Sequence, residues 1–479
     1  MKLSRRQFLG QASCAAIGST AFLSTALNLG MINTAAARPH IVSNCNDYKA
    51  MVCILLAGGA DSHNMLVPTS SSDYGEYAAV RGDLALPYVA GDPSQSEVLP
   101  LNGTDTLGKT YGVHQGMSAV RDLYNAGNLA FLANIGTLIE PISDMDDLYG
   151  GHKQIPLGLY SHADQIMQWQ TSVPQNRSAV GVGGRMADML KDGCGIDAVS
   201  MNISLDGKNR FQAGNQVIEF SIPNSATSEN LGFEAPPSWW PSQGYLSQIR
   251  DQGVNTLVED VYANIFQSTY GSLTRQTVDS IELFRTALAK KPPIPITFSD
   301  NRLSQDLRMM SEVISVQQHL GNQRQIFFTT FGGWDHHDEV LNNQNRMLPI
   351  LSNAMHEFHQ AMTHLGLQDD VVTFTISDFG RTLTSNGNGS DHAWGGNSMI
   401  MGGAIDGGKI YGNYPVLNLN ESLNLDERGR FIPTTSVDEF YAELALWFGV
   451  SPNDLSYILP NISNFYNYSP TSPPIGFFQ

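Results

Sequence analysis

The apolar run from Ile326 to Phe331 ends in Gly332-Gly333-Trp334 and delivers Asp335, His336 and His337 in succession. A carboxylate beside imidazoles can ligate a divalent metal or move protons. A second run, Val371 to Ile376, ends in Asp378-Phe379-Gly380-Arg381 and leads on to Asp391-His392. A third, Met51 to Leu56, ends in Gly58-Gly59-Ala60-Asp61. Unbroken β-prone runs read as buried parallel strands, and open α/β sheets bind ligands at the carboxyl ends of such strands. Three strand ends rich in carboxylates and imidazoles predict one shared site.

Each candidate has a plainer reading beside it. Asp335 with His337 suits zinc, manganese or iron, while His336 points elsewhere if the segment is extended. The alternative is a polar loop before a helix whose first turn holds Asp338 and Glu339. Asp61 is aimed across the sheet edge by its glycine turn, or else makes an Asx-turn or a helix cap. Asp378 can ligate metal and Arg381 offers a planar fork for an anionic oxygen pair, against a simple ion pair between the two. The Asn- and Gly-rich loop Thr384 to Ser390 brings His392 back to the same place. Ser161-His162-Ala163-Asp164 is first a helix-capping pattern, and the same helix start can support an alkoxide or phosphoryl oxygen. His356, His359 and His364 share one helix with an apolar stripe and read as satisfied or exposed side chains.

The elements that must position these groups alternate between strand and helix. Strand patterns cover Met51 to Leu56, Leu129 to Ile135, Ala198 to Leu205, Gln325 to Phe331, Val371 to Ile376 and Met399 to Ile405. Helix patterns include Met117 to Ala126, Ser161 to Gln170, Ser304 to Leu320, and the stripe Leu348, Leu351, Met355, Phe358, Met362. The prediction is an α/β fold, a doubly wound and mostly parallel sheet flanked by helices, over residues 49–460. A helical insertion from about 207 to 295 breaks the rhythm, and residues 461–479 form an irregular, aromatic-rich tail.

Residues 1–37 carry Arg5-Arg6, an apolar stretch interrupted by Gly10, Gln11, Ser13 and Gly18, and Ala35-Ala36-Ala37. This is the pattern of a twin-arginine signal peptide, followed by a linker over 38–48. The expected location is the periplasm or outside the cell, with no stable membrane insertion after cleavage. Charged residues make up 15% of the chain and the net charge is −18, so nucleic acid is a poor partner. Loss of Lys2, Arg5 and Arg6 with the signal makes the balance more negative still. Cys53 lies in a predicted buried strand, which leaves Cys45 and Cys194 as the pair open to bridging.

The motifs taken together resemble the exported bacterial family known as domain of unknown function 1501. They are Gly58 to Asn64, His114 before a helix, Ser161-His162 with Gln165, Gly332 to His337, Ser377 to Thr382, and Asp391-His392 followed by glycines to Gly412. That family is in turn similar to the alkaline phosphatase and sulfatase superfamily. The resemblance implies one or two divalent metal ions, zinc, calcium, magnesium or manganese, held by Asp61, Asp335, His337, Asp378 and His392. It implies Ser161 as nucleophile, Arg381 steadying developing charge, and Asn64 and His162 contacting the substrate. Phe379 stands where phosphatase relatives have a histidine, the Asp335 to His337 spacing is shorter than theirs, and no Cys-x-Pro-x-Arg occurs. One metal site is therefore expected to be oxygen-rich, empty or absent. The resulting expectation is a metal-dependent hydrolase or transferase of phosphate or sulfate esters, its partner an anionic ester or glycan. The alternative is a non-catalytic envelope protein of the same fold that binds a glycan or a protein.

Overall fold

The computed structural model describes residues 45–194, 199–226, 265–421 and 423–479. The expected signal peptide, most of the expected linker and the middle of the proposed insertion lie outside the described residues. In chain order the strands are β1 (Lys49–Ala57), β2 (Leu66–Pro68), β3 (Val98–Pro100), β4 (Tyr111–His114), β5 (Leu129–Gly136), β6 (Asn202–Ser204), β7 (Phe220–Ser221), β8 (Arg324–Gly332), β9 (Val371–Ser377), β10 (Gly396–Met401), β11 (Ile410–Gly412) and β12 (Thr435–Ser436). Among the described residues the helices of eight residues or more are α1 (Ser71–Arg81), α2 (Ser118–Asn125), α3 (His162–Thr171), α4 (Val182–Cys194), α5 (Ile265–Leu288), α6 (Arg302–Ile314), α7 (Val340–Leu365) and α8 (Val437–Phe448).

The strand β1 is buried along its length and organises the molecule. Its side chains alternate, so Ala50, Val52, Ile54 and Leu56 enter one apolar core while Met51, Cys53 and Leu55 enter another. Helices α6 and α7 cover the first core through Leu307, Met310, Leu348, Leu351, Met355 and Phe358. On the second, α4 and α8 pack Met186, Leu190, Phe440, Tyr441 and Leu444. The result is the expected doubly wound layer arrangement, helices on both faces of one sheet.

Among the described residues that sheet has nine strands, in the order β11-β5-β10-β9-β1-β8-β6-β7 with β12 beside β5. β1 runs parallel to both β8 and β9, and β6 is parallel to β8. The exception is β10, which is antiparallel to β9 and to β5. β2, β4 and β3 form a small separate antiparallel sheet that the sequence patterns did not indicate. The helix expected over Ser304 to Leu320 ends at Ile314, and a short turn of helix follows at Gln317–Leu320.

Within the proposed insertion, β7 joins the main sheet and α5 sends Phe284, Ala287 and Leu288 into the first core. The C-terminal tail is held rather than free. The buried Glu443 carboxylate accepts from the backbone N–H groups of Ile475, Gly476, Phe477 and Phe478 at 2.6–3.2 Å. No helix among the described residues is long and apolar enough to cross a membrane.

Cys45 and Cys194 are joined in a disulfide, Cα to Cα 5.1 Å, tying the lead into β1 to the end of α4. Closing so long a loop restricts the unfolded chain, so reduction, or a double serine variant, is expected to lower stability by about 2–5 kcal/mol in urea unfolding. A second test concerns the fully buried Asp438 at the start of α8, whose carboxyl burial pushes up to about 7 despite the Ser172 hydroxyl and the Arg185 charge. Between the unfolded carboxyl range and about pH 7 the folded state holds a proton that the unfolded state has released, so the contribution of this group to stability is greatest at low pH and declines as pH rises toward about 7. Asp438→Asn is expected to flatten that decline, as read from urea midpoints at pH 5 and pH 8.

Candidate metal centre

The parallel neighbours β9, β1 and β8 deliver their carboxyl ends side by side. Beyond β1 the chain turns at Gly58, φ +120°, where a Cβ would lie 2.5 Å from the Asp335 nitrogen. Gly59, φ +77°, would place its Cβ 2.3 Å from the Phe379 ring. Only glycine lets the three strand exits approach this closely. Gly58 N–H donates to Asp378 Oδ1 at 3.0 Å, and Arg381 Nη2 donates to Gly58 O at 2.5 Å.

Four side chains meet above this pinch. His162, at the first turn of α3, Asp335, beyond β8, and His392 offer ligand atoms within 4.8 Å of one another. Nε2 of His162, His392 and His337 stand 3.6, 3.4 and 3.1 Å from the Asp335 carboxylate. Tetrahedral donors about 2.0–2.1 Å from one ion stand about 3.3–3.4 Å apart, so the arrangement has the dimensions of a cation site.

The outward nitrogens settle which ring atoms face inward. His162 Nδ1 donates to Asp378 Oδ2 at 2.7 Å, His337 Nδ1 to Asp391 Oδ1 at 3.0 Å, and His392 Nδ1 to the Tyr160 carbonyl at 2.7 Å. All three partners are acceptors only, so each Nδ1 carries a hydrogen, and a ring in its neutral form turns its Nε2 lone pair inward. His337 Nε2 and His392 Nε2 face one another at 2.8 Å. Two opposed lone pairs repel until a cation or a shared proton comes between them. The donor set of imidazoles and a carboxylate fits a divalent transition metal.

Electrostatics agrees with that use. Burial raises the Asp335 carboxyl, but the hydrogen bond and charge of Arg381 outweigh it and hold the group ionised below its ordinary range. Burial lowers His392, and the positive charge of Arg381 lowers it further, which favours the neutral ring that a metal requires. Asp391 is driven down to about 2, burial being outweighed by bonds from Asn386, His337 and Arg428.

Several expected site residues are placed differently. Asp61 is fully buried in an ion pair with Arg81 at 2.5 Å and accepts from Ser390 Oγ at 2.7 Å, so it braces the loop before His392 and does not join the cluster. Asp378, expected as a ligand, has its oxygens taken by Gly58 and His162 and stands behind that histidine. His162, expected as a substrate contact, sits among the converging donors. Asn64 is buried among Tyr77, Arg81 and Gln344. Arg381 is fully buried, and its fork donates to the carbonyls of Gly58, Gly59 and Ser390 and to Asp335. Ser161 caps α3, its Oγ accepting from Asp164 N–H at 3.4 Å. Phe379 forms an aromatic floor, its ring centroid 4.8 Å from His162 and 4.5 Å from His392. Tyr160 escaped the sequence reading. Its φ of +70°, rare for a bulky residue, was the one signal of its carbonyl's task, and it is visible only in the structure.

Fold and cluster together define an α/β protein with a histidine-rich cluster at the carboxyl edge of its sheet whose donors could hold a cation. Residues 305–458 match the family described as Protein of unknown function (DUF1501), and this segment contains Asp335, His337, Asp378, Arg381 and His392. No curated protein matches the chain. Similar solved structures include Ps i-CgsB in complex with k-i-k-neocarrahexaose, at 9% identity, TM-score 0.34, covering 87% of this chain and 77% of that one. The PsFucS1 sulfatase from Pseudoalteromonas sp. aligns at 8% identity and TM-score 0.32, covering 85% and 69%. The phosphonate monoester hydrolase SpPMH from Silicibacter pomeroyi aligns at 9% and 0.29, covering 86% and 77%. Likeness at this level bears on neither activity nor substrate.

Arg381→Met is expected to destabilise the protein by about 3–5 kcal/mol in urea unfolding, because it strips buried carbonyls and Asp335 of their donor.

Proposed function

We propose that the chain is an exported, metal-dependent hydrolase or transferase of phosphate or sulfate esters, working at a single metal ion. The observation that carries this reading is the convergence of three imidazole Nε2 atoms on Asp335, each ring held from behind by an acceptor. His162, Asp335 and His392 would hold the ion, with His337 beside them. A metal bound there would polarise an ester oxygen and lower the pKa of a bound water. Asp378, Asp391 and the Tyr160 carbonyl keep the rings oriented, and Phe379 keeps water from the floor of the site. Ser161 lies between Tyr160 and His162, both bonded into the centre, and is our candidate nucleophile. Arg381, with its fork occupied, acts by fixing Asp335 rather than by touching substrate. The ester class rests on the resemblance of the motifs. Export rests on the twin-arginine pattern, and the Cys45–Cys194 disulfide suits an oxidising compartment.

One observation favours the non-catalytic alternative. His337 Nε2 lies 3.1 Å from Asp335 and 2.8 Å from His392, and if it joins the other three donors the site is closed, the usual form of a structural centre, whereas catalytic centres keep a position open. Metal analysis of the purified protein together with assays on aryl phosphate and aryl sulfate separates the two readings. We expect about one equivalent of transition metal and a fall in kcat/KM of at least about a thousandfold in Asp335→Ala, the loss of several kcal/mol of charge stabilisation. A metal-free protein whose weak turnover survives that substitution would sink the proposal.

A further inference from the structure

We propose that His337 is the exchangeable ligand of the centre: it completes the site at rest and turns away when an anionic oxygen enters, while His162, Asp335 and His392 remain. This rests on the metal-centre reading above and goes beyond it by saying how a closed set of donors opens.

The three histidines are backed in unequal ways. His162 leans on Asp378, whose side chain is 3% exposed and whose Oδ2 has no other partner once the ring leaves. Its departure strands a buried carboxylate oxygen. His392 leans on the Tyr160 carbonyl, in a segment held by Tyr160 N–H on Gln165 Oε1 and by Arg430 over the Tyr160 ring. Arg430 Nε also donates to the His392 carbonyl at 2.7 Å, fixing that residue from a second side. Its departure uncovers an acceptor and breaks a braced turn.

His337 leaves nothing stranded. Its partner Asp391 also accepts from Asn386 Nδ2 at 3.0 Å and pairs with Arg428 Nη1 at 2.5 Å, so the carboxylate stays bonded and charge-compensated after the ring turns. The His337 side chain is the most exposed of the three imidazoles, at 45% against 37% for His162 and 22% for His392. Its main chain is meanwhile fixed, with N–H on the Asp335 carbonyl and its own carbonyl accepting from Asn386 Nδ2. Only the ring is free to move. An unsatisfied buried acceptor costs far more than a bond exchanged with water, so the ligand with the solvent-exposed and doubly compensated support is the one that leaves.

Zinc and cobalt affinities of the full-length protein, measured by chelator competition, test this. We expect His337→Gln to weaken binding by no more than about tenfold, and Asp335→Asn and His392→Gln by at least about a hundredfold, the upper range for loss of outer support alone. Inorganic phosphate added to the cobalt-loaded wild type should shift its visible spectrum to that of phosphate-treated, cobalt-loaded His337→Gln. Asp391→Asn, which loosens the ring while keeping the ligand, should bind phosphate more tightly than wild type. Equal losses of affinity for His337→Gln and His392→Gln, in variants whose circular dichroism and melting match wild type, overturn the proposal. So does a wild-type cobalt spectrum that phosphate leaves unchanged. If the ranking and the spectral shift hold but no aryl ester is cleaved, the exchange stands and the ester-hydrolase reading falls.

Discussion

The buried Arg381 guanidinium holds the candidate site together. It leaves the exit of β9 and reaches the Gly58 and Gly59 carbonyls beyond β1, the Asp335 carboxylate beyond β8, and the Ser390 carbonyl two residues before His392. One planar fork thereby sets the relative positions of three strand ends and a returning loop. A fully buried cation is tolerable only where acceptors and an opposite charge surround it, and here the opposite charge is itself one of the converging donors. A second buried pair, Arg81 with Asp61, repeats the device one layer back. Arg81 reaches the Thr382 and Leu383 carbonyls while Asp61 takes the Ser390 hydroxyl. The loop that carries His392 is thus clamped near both ends by charge that never meets solvent.

This division of labour explains which parts of the site were legible in the sequence. The runs at Met51, Ile326 and Val371 are β-prone without interruption, apolar apart from threonines, because their strands are buried on both faces, and that property is local. Their ends therefore fell where expected, with Asp335, Asp378 and His392 brought together. Ligand and support could not be told apart in the same way. Asp378 is the first residue past β9 and Asp335 the third past β8, yet both are carboxylates at a strand exit, and what separates their roles is the arrival of His162 from a helix elsewhere in the chain, which takes one Asp378 oxygen. Asp61 was misplaced for a related reason. Its partner Arg81 closes α1, and nothing in the spacing of twenty residues says that the helix folds back onto the strand exit.

The antiparallel β10 was equally hidden, since a buried strand reads the same in either direction. Its pairing with β9 is confined to Ile400 with Phe374 and Met401 with Thr373, so the two strands part toward the carboxyl end of β9. That parting makes room for Phe379 and for the segment that returns through Ala393 and Gly395. Gly380 and Gly395 touch there, a Cβ on Gly380 falling 2.0 Å from the Gly395 carbonyl. The aromatic at Phe379, which looked like a lost ligand beside the superfamily pattern, occupies the space under His162 and His392 instead. A histidine there would point a polar ring at two others across a floor that is 2% exposed.

The exchange of roles among the acids also bears on how many ions the site can take and of what kind. With Asp61 neutralised by Arg81 and Asp378 committed to His162, the oxygen ligands needed for a second ion are already engaged within the protein. What remains is a single carboxylate among imidazoles. Calcium and magnesium require six or more hard oxygen donors and gain little from ring nitrogens, whereas zinc, manganese and iron accept them readily. The nitrogen-rich centre thus narrows the expected ions toward the transition metals, and it does so through the two buried arginines. By holding acids away from the opening, or turning only one of them toward it, they determine the donor set as surely as the ligands do.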